Sequence, residues 1–85
     1  MYDAVDFCQA VDLQPNDIGC PWGNFALSFF YGQKAYIVCE LFGDVVRVSD
    51  IHDYTHLDQR TVFTVSRVDA PARVKAIWKA AVQNQ

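Results

Sequence analysis

Three runs rich in apolar, β-branched and aromatic residues fill the middle of the chain, at 24–31, 34–42 and 45–50. Two short turns separate them, Gly32-Gln33 and Gly43-Asp44. Strand-forming residues interrupted by glycine turns of this length are typical of β-hairpins. The pattern therefore predicts an antiparallel meander, which presents a surface rather than a pocket.

The Gly43-Asp44 turn predicts the register of the second hairpin. A two-residue turn pairs Phe42 with Val45, and counting back places Glu40 opposite Arg47 on one face of the sheet. The other face is uniformly apolar and is expected to be the core side, with Ile37, Cys39, Leu41, Val46 and Val48.

The register of the first hairpin depends on the length of its loop. With Gly32-Gln33 as a two-residue loop, Phe29 pairs with Tyr36, and both Phe29 and Tyr31 lie on the face away from the core. A three-residue loop shifts the pairing by one residue and turns the strand over. Both registers stay open, because Phe30 places a large apolar side chain on the face of the strand opposite to Phe29 and Tyr31.

Helical periodicity marks both ends of the chain. Near the N-terminus, apolar residues recur at i, i+3, i+4 and i+7, and Pro15-Asn16-Asp17 is expected to end this helix. Residues 60–68 alternate as a fourth strand, and Asp69-Ala70-Pro71 opens a last helix with Asp69 as its cap. Residues 1–85 thus predict one α+β domain: a four-stranded antiparallel sheet, a meander plus a fourth strand, flanked by terminal helices in the order α-β-β-β-β-α.

Length and composition favour a small globular domain of the cytoplasm. The 85 residues are 52% hydrophobic and carry a formal charge of −3. No run approaches the ~20 apolar residues that span a bilayer, and the N-terminus has no basic region of a secretory signal. We therefore expect a cytoplasmic protein without membrane contact.

The three cysteines lack the spacing of a metal site or a disulfide framework, which suits buried thiols in a reducing compartment. Cys8 and Cys39 fall on apolar faces and are expected in the core. Cys20 is expected to be a buried thiol beside Trp22, with an accessible reactive thiol as the alternative.

The metal-competent side chains lie in one segment at the end of the third strand and just after it, at Asp50, His52, Asp53 and His56. Imidazole with carboxylate suits Zn²⁺, but this spacing matches no established motif, and His-x-x-x-His lacks the glutamate of a metalloprotease helix. A polar inter-strand loop is the favoured interpretation, so we predict no cofactor. A metal-binding protein centred on His52 and His56 is an alternative.

Catalytic motifs are equally weak. No serine lies in a strand–turn–helix elbow, no glycine-rich phosphate loop is present, and the lone glutamate faces an arginine. The sequence therefore predicts a protein that is not an enzyme.

Nucleic-acid binding is a second alternative, because the last helix displays Arg73, Lys75 and Lys79. The sequence pI of about 5.0 argues against it, as does the lack of aromatics interleaved with basic residues.

The leading hypothesis is a protein-binding module: a small cytosolic inhibitor, adaptor or immunity-type protein. If both helices cover the core side of the sheet, the other side exposes more apolar area than a small monomer usually tolerates. If the helices split between the faces, nothing is left exposed. The partner would be another protein, a second copy of the chain included, and the predicted binding residues are Phe29, Tyr31, Tyr36, Val38, Glu40, Phe42 and Arg47.

Overall fold

A computed structural model describes residues 4–20 and 23–84. It confirms an α+β fold in which helices flank one antiparallel sheet, but the sheet has five strands where the sequence predicted four. The elements are α1 (Ala4–Val11), β1 (Asp17–Gly19), β2 (Phe25–Phe30), β3 (Tyr36–Phe42), β4 (Val45–Ile51), a 3₁₀ segment (Tyr54–Gln59), β5 (Thr61–Ser66) and α2 (Ala70–Gln83).

The sheet is a continuous meander in which each strand pairs with its neighbours along the chain, in the order β1-β2-β3-β4-β5. The extra strand, β1, occupies a segment expected to be a loop. Asn16 fastens it to β2 twice: its backbone N–H donates to the Ser28 carbonyl at 2.7 Å, and its side-chain Oδ1 accepts from the Phe30 N–H at 2.8 Å. Sequence pattern missed β1 because it is only three residues long and exposed throughout.

The first hairpin has the three-residue loop, which settles the alternative left open above. Phe30 pairs with Tyr36 and Phe29 with Ile37, while the Tyr31 N–H donates to the Ala35 carbonyl at 3.1 Å. The two-residue register, which placed Phe29 and Tyr31 on the outer face, is therefore wrong. Phe29 is 1% exposed and Tyr31 7%, because the shift of one residue turns both side chains toward the core.

The second hairpin confirms the predicted pairing of Phe42 with Val45 and of Glu40 with Arg47. Gly43 has φ +60, and no positive φ is found at Asp44. A left-handed first central residue followed by an ordinary second one fits a type II′ turn, whose twist matches the strands it joins.

Both helices pack on the same face of the sheet. One buried cluster joins Phe7 and Val11 of α1 and Val74 of α2 to the apolar side chains of β2, β3 and β4. Trp78 of α2 reaches across to donate its indole N–H to the Phe30 carbonyl at 3.2 Å. The opposite face, here called the open face, carries neither helix, and the 3₁₀ segment contacts it only at one end, where Tyr54 packs against Tyr36.

The end of α1 and the cap of α2 differ from expectation. Helix α1 ends at Val11, before Pro15, because Asp12 adopts φ +63, a left-handed conformation that aspartate tolerates better than most residues. Asp69 stands at the start of α2 as predicted, but its side chain does not cap the helix. Its Oδ2 instead accepts the hydroxyl of Ser66 at 2.9 Å, so the aspartate stabilises the turn between β5 and α2.

Adjacent phenylalanines give a direct test of the β2 register. We expect Phe29→Ala to lower the free energy of unfolding by about 3–5 kcal/mol, since it empties a fully buried site. Phe30→Ala, one residue along on the open face, should cost less than about 1 kcal/mol. Urea denaturation of both variants measures the difference, and equal losses would contradict the three-residue loop.

Candidate functional site

The open face combines exposed rings with a central ion pair. Its side chains come from alternate residues of β2 to β5, as the register requires. Several large apolar residues here keep a third or more of their surface in water. The face carries Ser28, Phe30, Tyr36, Val38, Glu40, Phe42, Val45, Arg47, Ser49, Ile51, Val62 and Thr64.

Three rings form an aromatic cluster at one end of the open face: Phe30, Tyr36 and Tyr54. The ring centroids of Phe30 and Tyr36 lie 5.1 Å apart, and those of Tyr36 and Tyr54 lie 5.3 Å apart. Phe30 is 36% exposed and Tyr54 42%. These distances are those of tilted aromatic pairs, so the three rings hold one another in place.

The centre of the face holds a bidentate ion pair. The Arg47 Nε donates to Glu40 Oε1 at 2.9 Å, and its Nη2 donates to Glu40 Oε2 at 2.8 Å. These bonds raise the pKa of Arg47 and hold the guanidinium 5.4 Å from the centroid of the Phe42 ring. Arg47 is therefore satisfied internally and does not present an unused charge.

A groove of about 240 Å³ runs beside this pair. Ser49, at its floor, is 6% exposed, and its hydroxyl has no hydrogen-bond partner among the described residues. Arg60 lines the groove and forms no ion pair within the described part of the chain. The groove thus combines the apolar walls of Val38, Ile51 and Val62 with a cation and a hydroxyl that can still bind an acceptor.

The predicted binding residues divide into two groups. Tyr36, Val38, Glu40, Phe42 and Arg47 lie on the open face as the sequence indicated. Phe29 and Tyr31 lie in the core, as the register correction requires, and cannot contact a partner on this face.

Tyr31 instead anchors a polar cluster at the rim of the core. Its hydroxyl donates to Asp50 Oδ1 at 2.5 Å and lies 3.2 Å from His52 Nδ1. His52 Nε2 is in turn 3.4 Å from Asp50 Oδ2. Burial and the adjacent Asp50 carboxylate raise the pKa of the Tyr31 phenol, which keeps it protonated as a donor.

The four metal candidates are not brought into one site. Asp50 and His52 belong to the Tyr31 cluster, whereas Asp53 pairs with His56, whose Nδ1 lies 3.2 Å from Asp53 Oδ2. Within residues 4–20 and 23–84, no group of three or more histidine, cysteine, aspartate and glutamate side chains could hold a metal ion. The backbone N–H and hydroxyl of Thr55 bind Asp53 and lower its pKa to about 2, so this carboxylate serves a local turn.

Two of the three basic residues on α2 already have contacts. Lys75 Nζ forms an ion pair with Asp12 Oδ2 at 2.9 Å, which joins α2 to the end of α1 and lowers the pKa of Asp12. The guanidinium carbon of Arg73 lies 4.8 Å from the centroid of the Phe63 ring. Lys79 is exposed.

The cysteines depart from expectation at one position. Cys39 is fully buried and Cys8 half-buried against the core, as predicted, and burial raises the pKa of both thiols. Cys20 is exposed, so the expected burial of this thiol is wrong. Trp22, its expected cover, lies outside the described residues.

Among the residues of the open face and its groove that sequence reasoning missed are Phe30, Tyr54 and Arg60. Phe30 follows from the three-residue loop register, so a correct register would have found it. Tyr54 comes from the 3₁₀ segment, which carries no strand alternation to signal which face it joins. Arg60 precedes β5, and its place in the groove depends on a side-chain conformation that no sequence pattern indicates.

Comparison with known proteins finds no matching family model, no matching curated protein and no matching solved structure. Among the described residues, no helix has the length and apolar character needed to cross a membrane.

Tyr31→Phe tests whether Tyr31 is structural. The change leaves the Asp50 carboxylate without its hydroxyl donor, so we expect a loss of about 1.5–3 kcal/mol in the free energy of unfolding. Tyr54→Phe is the matched control: its hydroxyl lies 3.5 Å from the Gln33 carbonyl at the exposed surface, and less than about 0.5 kcal/mol should be lost. Chemical denaturation compares them, and a harmless Tyr31→Phe would contradict the assigned role.

Alkaline pH should destabilise the fold through Cys39. Burial, and to a lesser extent the nearby Cys8 thiol, raises the pKa of the Cys39 thiol from 9.0 to about 12. Between these values the unfolded chain loses the thiol proton while the folded chain retains it, so stability falls as pH rises, by at most ~1.4 kcal/mol per pH unit.

Urea denaturation at a series of pH values from about 8 to about 11 measures this slope. Cys39→Ala should make the slope shallower, because the buried thiol is gone, while Tyr31 and Cys8, whose pKa values burial also raises, retain part of it. Cys20→Ala removes an exposed thiol and should leave the slope unchanged. A slope that is the same in the Cys39→Ala protein would exclude the proposed cause.

Proposed function

We propose that this chain is a non-enzymatic protein-binding module of the cytoplasm, an inhibitor, adaptor or immunity-type protein, that acts through its open face. The observation that carries the proposal is a sheet face with both helices on its other side. Its exposed Phe30, Phe42, Val45, Tyr54 and Val62 remain uncovered by the described chain. Burying such a surface contributes roughly 25 cal/mol per Å² before the costs of association.

The aromatic cluster supplies suitable anchors for a partner. Tyrosine and phenylalanine are enriched among the residues that dominate binding energy, and pre-positioned rings lose little side-chain entropy on association. Tyr36 lies between Phe30 and Tyr54, so a change at Tyr36 disturbs all three rings.

The groove indicates the chemistry of the partner. Arg60 lacks an internal counter-ion among the described residues, whereas Arg47 is neutralised by Glu40. A partner that places an acidic side chain over Arg60 and Ser49, with apolar residues over the aromatic cluster, complements both charge and shape. We therefore propose a protein partner with an acidic group at the edge of an apolar patch.

The nucleic-acid alternative has less support. Lys75 is paired with Asp12 and Arg73 lies against Phe63, so the helix face that would contact phosphates is partly engaged already. The net charge of −3 also opposes association with a polyanion.

Capture from native lysate by immobilised protein tests the proposal when wild type is compared with two open-face variants. Tyr36→Glu should weaken binding of a captured protein by more than about 30-fold, since it inserts a charge into the aromatic anchor. Arg60→Glu should weaken it less and reduce its dependence on salt. Quantitative mass spectrometry of the bound fraction gives the readout.

Gln9→Glu is the control, because it adds the same charge at an exposed position of α1, on the helical side of the sheet. It should capture the same proteins as wild type. If Tyr36→Glu also retains them, the open face is not the binding surface. Near-ultraviolet circular dichroism of each variant shows that the fold is retained.

A further inference from the structure

The two edges of the sheet differ in length and chemistry. Edge strand β1 is three residues long, Asp17–Gly19, and includes a charge and a glycine. The opposite edge is β5, Thr61–Ser66, which is six residues long and pairs with β4 alone. The accessible pairing edge of the described sheet is therefore β5.

One hydrogen bond shows which residues of β5 direct their backbone N–H and C=O groups away from β4. The Arg67 N–H donates to the Asp44 carbonyl at 2.9 Å, so this pair is a hydrogen-bonded pair of the β4–β5 ladder. Hydrogen-bonded pairs alternate along antiparallel strands, which directs the N–H and C=O groups of Phe63 and Val65 toward β4. Those of Val62, Thr64 and Ser66 point away from the sheet, where no further strand pairs with them in the described part of the chain. The Ser66 carbonyl already accepts the Asp69 N–H at 3.1 Å, so it is not available for pairing.

Side chains do not protect this edge. Natural sheets commonly shield an edge with lysine, proline, a bulge or an inward-facing charge. The β5 sequence, Thr-Val-Phe-Thr-Val-Ser, contains no lysine, no proline and no charged residue. Its pairing with β4 is regular along its whole length, so it contains no bulge. Val62 is 46% exposed on the open face, and Thr64 is exposed beside it.

We propose that a second copy of this chain pairs antiparallel with β5 about a two-fold axis at Thr64. Thr64 then lies opposite its counterpart, and Val62 lies opposite Ser66 of the second copy. The two Thr64 residues exchange two backbone hydrogen bonds, and each Ser66 N–H donates to a Val62 carbonyl, which makes about four in all because the Ser66 carbonyls are held by Asp69. On the helical side, Phe63 lies opposite Val65 of the second copy, an apolar cross-strand pair.

A second copy fits this edge because the arrangement is self-complementary. The axis is perpendicular to the sheet, so the helices of both copies lie on one side and the two open faces join on the other. Arg60 precedes the strand, four residues from the axis, so the Arg60 side chains of the two copies lie far apart. The short, charged β1 edge stops further growth.

Thr64→Pro tests the pairing. It removes an N–H that points away from β4, and proline is tolerated at such positions of edge strands. Sedimentation velocity from about 10 to about 500 µM should show wild type moving from the 9.6 kDa of one chain toward twice that mass. The variant loses the two central hydrogen bonds, so its dissociation constant should rise at least about tenfold.

Thr64→Lys keeps the backbone donor and places two like charges opposite each other at the axis, so its dimer should be weakened as well. Gln9→Lys adds the same charge on α1 and should dimerise as wild type does. In the wild-type dimer, hydrogen exchange should slow at the Thr64 and Ser66 amides as concentration rises.

A wild type that stays monomeric throughout, a Thr64→Pro protein that still dimerises, or edge amides that exchange equally fast at all concentrations would each overturn the proposal. The inference does not rest on the proposed function. Tyr36→Glu leaves β5 unchanged, so it should abolish partner capture while the dimer persists. This variant therefore distinguishes failure of the proposed dimer from failure of the proposed function.

Discussion

The pairing of Phe29 with Ile37 is the constraint on which the arrangement of this molecule depends. Strand β2 carries large apolar side chains on both faces, so its two registers differ in which rings enter the core. The three-residue loop buries Phe29 and Tyr31 and places Phe30 beside Tyr36. One residue of slippage would exchange these sets, which would empty the core of Phe29 and give the open face a different set of rings.

The buried Tyr31 hydroxyl needs a hydrogen-bond partner, and the sheet provides one nearby. A phenol at the rim of a core needs a hydrogen-bond partner, and Asp50 supplies it from the neighbouring end of β4. The Asp50 side chain lies on the core side of the sheet and is 15% exposed. The Tyr31 hydroxyl and the Asp50 carboxylate therefore satisfy each other's hydrogen-bonding needs. Asp50 and His52, which the sequence indicated as metal-competent residues, lie within hydrogen-bonding distance of the buried Tyr31 hydroxyl.

Much of the fold could be predicted from the chain, and the failures have physical causes. The second hairpin followed from Gly43, since a two-residue glycine turn leaves one register that keeps Ile37, Cys39 and Leu41 on a single face. Strand β1 could not be predicted, because three residues held by Asn16 side-chain and backbone bonds show no periodicity. Cys20 was misplaced because its burial was inferred from a neighbouring tryptophan rather than from a strand or helix pattern.

Only part of the candidate site could be predicted from the sequence, because only part of it lies on strands with regular alternation. Alternation along β3 and β4 correctly assigned Tyr36, Val38, Glu40, Phe42 and Arg47 to one face. The groove depends on Arg60 and on a segment without regular alternation, where the position of a side chain follows from tertiary packing. The sequence contains no motif that indicates a function, and the proposed binding surface rests on shape, apolar area and charge, which leave no motif in a sequence.

The meander also has a consequence for how the chain assembles itself. Every strand pairs with its sequence neighbour, so the sheet can grow by successive closure of short loops, each with a small entropic cost. The contact between α1 and α2 is different, since it joins elements from opposite extremes of the described chain. Docking of the first helix therefore closes the longest loop in the molecule, and we expect it to be the last cooperative step of folding and the first to be lost in native-state fluctuations.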